Sequence, residues 1–63
     1  MADSASEEVL FEICLFGHSA QVAAIHVPTN TEVRIICPAT LPGEAMQQLA
    51  LRKLLWVLKK KQR

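Results

Sequence analysis

From Glu8 to Phe16 (EVLFEICLF) the chain places Val9, Phe11, Ile13 and Leu15 on one side of an extended backbone. Leu10, Glu12, Cys14 and Phe16 fall on the other. This spacing predicts a strand with one fully apolar face. Gly17, His18 and Ser19 follow with turn chemistry, Gly17 being able to take a positive φ without a steric cost. Ala20 to Val27 (AQVAAIHV) is partly β-branched and is bounded by Pro28, which predicts a second strand antiparallel to the first. Pro28-Thr29-Asn30-Thr31 pairs a fixed φ with an asparagine that tolerates the left-handed region, so it reads as a hairpin loop. Thr31 to Cys37 (TEVRIIC) alternates again, with Val33, Ile35 and Cys37 opposed to Glu32, Arg34 and Ile36. Pro38 cannot donate to a ladder and Pro42 suits a first helical turn, so the third strand ends near 37 and a helix begins near 42. Beyond Gly43 there is no further glycine, and Ala, Leu, Gln, Lys and Glu carry the helix close to Lys60.

The order of elements predicts an α+β fold, βββα: a three-stranded antiparallel sheet in the order 1-2-3 with one C-terminal helix packed on a face. Both strand connections are too short for crossovers. At 100° per residue, Met46, Ala50, Leu51, Leu54, Val57 and Leu58 form the helix stripe that covers the sheet. Leu49 and Trp56 stand together on one flank of that stripe and Leu55 lies beyond the other, so the helix carries more apolar surface than one sheet contact covers. The expected organisation is a flexible polar tail over residues 1–7, a single domain over 8–60 and a basic tail over 61–63.

Composition changes the picture in one respect. The chain has 63 residues, 51% hydrophobic and 21% charged, which is globular usage for one small domain. Burying roughly 60% of the unfolded surface contributes on the order of 90 kcal/mol, against about 95 kcal/mol for ordering the chain. The two nearly cancel, and two cysteines can supply one disulfide at most, so self-association is the expected extra source of stability. The acidic, polar start MADSASEE lacks the basic end and apolar stretch of an export signal. The longest uncharged run, Ile13 to Thr31, contains Gly17, His18, Gln21, His26, Pro28 and Asn30, which argues against a membrane span. A reducing cytoplasm is the expected setting, with Cys14 and Cys37 as buried thiols rather than a bridge.

Charge is divided along the chain. All six acidic residues precede residue 45, and six of the seven basic ones follow it, Arg34 being the exception, so a net charge of +1 hides a −5 half and a +6 half. Lys59, Lys60, Lys61 and Arg63 cluster at the helix end. They suit a solvated terminus that complements the helix dipole, or contact with an anion: nucleic-acid phosphate, a lipid head group or the acidic end of another copy. Stacking aromatics are scarce, Phe11, Phe16 and Trp56 with no tyrosine, and the acidic half repels phosphate, so nucleic acid is not the favoured partner. LLWVLKKK could meet a membrane surface, but the sheet needs the same apolar residues.

Cys14, His18, His26 and Cys37 do not have zinc-knuckle spacing, and the two histidines bracket the second strand, roughly 26 Å apart. No nucleophile elbow, phosphate loop or HExxH helix occurs, so neither catalysis nor a cofactor is expected.

The runs EVLFE and AIHVPTNTEV, then a proline, then LALRKL resemble a small bacterial family of uncharacterised domains with a strand, a hairpin and a C-terminal helix. The resemblance covers residues 8–58. Asn30 stands where glycine is usual, and the family supplies no functional residue to carry over. The expected function is a small cytoplasmic interaction or regulatory accessory module acting as a homodimer. Its contact would bury the Leu49 and Trp56 flank together with the sheet face that the helix leaves open, the one bearing Leu10, Cys14 and Phe16 or its counterpart. The alternative is a nucleic-acid-associated protein that uses the basic helix end.

Overall fold

A computed structural model of the chain describes residues 8–61. It contains β1 (Val9–Phe16), β2 (Ser19–His26), a short 3-10 turn (Val27–Thr29), β3 (Thr31–Pro38) and α1 (Gly43–Lys61). The sheet order is β1-β2-β3, antiparallel throughout, as the hairpin connections predict. The expected tail over residues 1–7 and the end of the basic tail lie outside the described residues. Lys61 closes the last turn of α1, whose basic side chains Lys59, Lys60 and Lys61 complement the negative end of the helix dipole.

Two left-handed residues set the hairpins. Gly17 has φ +60 between the paired residues Phe16 and Ser19, and His18 is not in the positive-φ region, the pattern of a type II′ turn. Asn30 adopts φ 56 and ψ 38, and its N–H donates to the Val27 carbonyl at 3.2 Å, closing the turn that Pro28 begins. Asn30→Ala is expected to lower stability by about 1 kcal/mol while Asn30→Gly stays close to the parent, because glycine has no Cβ to oppose the left-handed backbone and asparagine offsets it with a short polar side chain, whereas alanine does neither. Urea unfolding of the two variants checks this ordering.

The core lies between the sheet and α1. Ala20, Val22 and Ala24 from β2, Val33 and Cys37 from β3, and Met46, Ala50 and Leu54 from α1 form one buried cluster. Val9, Phe11, Ile35, Leu41, Leu51, Val57 and Leu58 pack around it, so the predicted helix stripe is the one that faces the sheet. The register gives the reason for the side chains shared by one face. Phe11 pairs with Ala24 and Ala24 with Val33, while Ile13 pairs with Val22 and Val22 with Ile35.

The helix does not cover the whole of its sheet face. α1 packs mainly on β2 and β3, and strands about 4.8 Å apart leave a helix roughly 10 Å wide enough reach for only two of them. Of the β1 residues on the helix side, Val9 and Phe11 pack against the core, but Ile13 and Leu15 remain exposed.

Candidate interaction surfaces

The face away from the helix is built from four cross-strand rows: Leu10, Ile25 and Glu32; Glu12, Ala23 and Arg34; Cys14, Gln21 and Ile36; Phe16, Ser19 and Pro38. Leu10 and Phe16 are each 49% exposed on this face, at the two ends of β1. Towards β3 the face is mixed, with Arg34 and Glu32 paired at 3.1 Å beside Ile36, which is 68% exposed. That ion pair is exposed and contributes little to stability. A shallow depression of about 320 Å³ over Ala23 is bordered by Glu12, Ile13, Cys14, Gln21 and Arg34.

Cys14 is exposed on this face, whereas Cys37 is buried on the other, and both thiols are free. The expectation of two buried thiols therefore holds only for Cys37. Cys14 belongs to the even-numbered β1 positions, and these face away from the helix. A thiol reagent is expected to label Cys14 rapidly in the native protein and Cys37 only on unfolding. Equal native labelling of both would contradict the assignment of faces.

Leu49 and Trp56 lie on the α1 flank that carries Lys53 and Lys60, and both are exposed. Lys53 Nζ donates to the Arg34 carbonyl at 3.0 Å, which fixes this flank beside β3. Lys60 Nζ sits 4.6 Å from the centroid of the Trp56 ring, a cation–π arrangement that shields part of the indole. The structure therefore separates the four expected interface residues into two sets, Leu10 and Phe16 on β1, and Leu49 and Trp56 beside β3.

The basic end is also divided. Lys61 Nζ donates to Thr31 Oγ1 at 3.2 Å. Thr31 Oγ1 in turn shares a 2.8 Å hydrogen bond with Thr29 Oγ1, and Thr29 Oγ1 lies 2.7 Å from His26 Nδ1. Lys61 thus ties the helix end to the β2–β3 turn. Lys59 is exposed and Arg63 lies outside the described residues.

A feature that sequence reasoning missed is an apolar groove of about 480 Å³ between β1 and α1, lined by Val9, Phe11, His26, Leu51, Leu55 and Leu58. It exists because α1 leaves β1 partly uncovered, and Leu55 stands over it at 55% exposure. The sequence signal was present in Leu55, outside the main helix stripe, and in a β1 segment that is apolar on both sides. Among the described residues no group of three His, Cys, Asp or Glu gathers to hold a metal ion. No helix among them is long and apolar enough to cross a membrane.

These features define a small two-layer α+β domain with its exposed apolar side chains concentrated on one edge strand and two helix flanks. The chain belongs to the family described as Domain of unknown function (DUF6898), whose model matches residues 6–61. No curated protein and no solved structure matches the chain.

Proposed function

We propose that the chain is a non-catalytic, cytoplasmic protein-interaction module that works as a homodimer in an accessory or regulatory role. The observation that carries this reading is β1, where Leu10, Ile13, Leu15 and Phe16 are all exposed within a single eight-residue strand. Such a density of exposed apolar side chains on one edge marks a contact surface. Two free thiols, one of them exposed, suit a reducing compartment. The nucleic-acid reading has weaker support, because Lys60 and Lys61 are already engaged with Trp56 and Thr31.

Thermal melting over a concentration range of about 1 to 100 μM tests the reading, since a dimer that unfolds to monomers melts higher as concentration rises. A midpoint that does not move with concentration would count against it. Salt-sensitive binding to unrelated DNA or RNA would favour the basic-end reading instead.

A further inference from the structure

We infer that the homodimer forms by antiparallel pairing of β1 with β1 of a second copy, about a two-fold axis at Ile13, to give one continuous six-stranded sheet. The inference rests on the dimer reading above and names its surface.

The hydrogen-bond parity of the sheet shows which backbone groups are open. The Val27 N–H donates to the Glu8 carbonyl at 3.1 Å, so Glu8 and Val27 form a bonded pair. Even-numbered β1 residues therefore turn their backbone groups towards β2, and Val9, Phe11, Ile13 and Leu15 turn theirs outward. At the other edge the Ala39 N–H donates to the His18 carbonyl at 2.9 Å, which leaves Glu32, Arg34, Ile36 and Pro38 pointing outward. That edge is blunted: the Arg34 carbonyl accepts from Lys53, and Pro38 has no N–H to offer. β1 contains no proline and one charge, Glu12. Between the two edges, β1 is the one that can add a strand.

The side chains choose the occupant and the register. A two-fold centred on Glu12 sets that carboxylate opposite its own copy, which is destabilising. A two-fold centred on Phe11 carries Leu15 and Phe16 past the start of the second β1. With the axis at Ile13, Ile13 faces Ile13, Phe11 faces Leu15, Leu10 faces Phe16 and Glu12 faces Cys14. Every exposed apolar residue of β1 then has an apolar cross-strand partner, and about six backbone hydrogen bonds form between the strands. On the helix side, Leu15 of the second copy lies opposite Phe11, where it enters the groove beneath Leu55. The pairing is isologous and closes at two copies, since β3 does not offer a second open edge. The Leu49 and Trp56 flank stays outside the contact.

Disulfide trapping of the full chain tests the register. Glu12 and Cys14 of the second copy would form a non-bonded antiparallel pair with Cα atoms about 4.5 Å apart, within disulfide range. Under mild oxidation, Glu12→Cys is expected to run as a covalent dimer on a non-reducing gel, and the double variant Glu12→Cys with Cys14→Ser as a monomer. Ile13→Pro removes an outward N–H that the monomer does not use, and is expected to weaken association by about 100-fold while circular dichroism retains the fold. Equal trapping of the single and double variants would overturn the Ile13 axis. A wild-type dimer by sedimentation with no trapping of Glu12→Cys, or with Ile13→Pro still fully dimeric, would overturn the β1 contact and leave the dimer reading standing. A wild-type monomer by sedimentation would remove both.

Discussion

Leu54→Ala is expected to lower stability by about 3 kcal/mol. Leu54 is fully buried, and with Val22 it is one of the two largest side chains in that state. It belongs to a cluster in which Ala20, Ala24 and Ala50 supply little volume to collapse into the space left behind. A 63-residue chain has a total stability of only about 3 to 9 kcal/mol at usual per-residue values, so the loss removes a large share of it. Urea unfolding followed by circular dichroism measures the change. Trp56→Ala serves as the contrast: at 59% exposure its removal is expected to cost less than about 1 kcal/mol. A Leu54→Ala effect no larger than that of Trp56→Ala would place the core wrongly.

Ala50→Leu is expected to lower stability by about 2 kcal/mol for the opposite reason. Ala50 is fully buried in the cluster with Ala20, Val22 and Ala24, where small side chains let α1 approach the sheet closely. Leucine has nearly the same helix propensity as alanine, so the substitution leaves the helix intrinsically sound and reports packing alone. A neutral or stabilising outcome in the same unfolding experiment would mean that α1 stands further from β2 than the structure places it.

Most of the fold was legible because local signals agreed with one another. The change from a two-residue to a helical apolar period falls at Pro38 and Pro42, and Gly17 and Asn30 occupy the two left-handed positions where turns were expected. The exposure of Leu10, Phe16, Leu49 and Trp56 was legible too, since each lies outside the stripe or face that one helix can cover. Their separation into two surfaces was not. It depends on α1 sitting over β2 and β3 and on Lys53 reaching the Arg34 carbonyl, a contact across 19 residues that no local pattern contains. The same placement exposes Ile13 and Leu15, although they share a strand face with Val9 and Phe11, which pack against the core. The direction of the β1 backbone groups required the sheet register, for which the alternation of side chains gives no information about which edge is blunted. Cys14 is exposed although cysteine is so often buried, because its strand position puts it on the face away from the helix.

Residue-resolved amide hydrogen exchange on the wild-type chain, at a concentration where association is complete, tests the central claim most directly. The account predicts that the outward-facing amides of Phe11, Ile13 and Leu15 are protected along with the inward-facing ones of β1, that all three lose this protection on dilution, and that those of Phe11 and Leu15 lose it in Ile13→Pro. Exchange of those three amides at the rate of an open edge, while Leu10, Glu12 and Cys14 stay protected, would contradict pairing at β1.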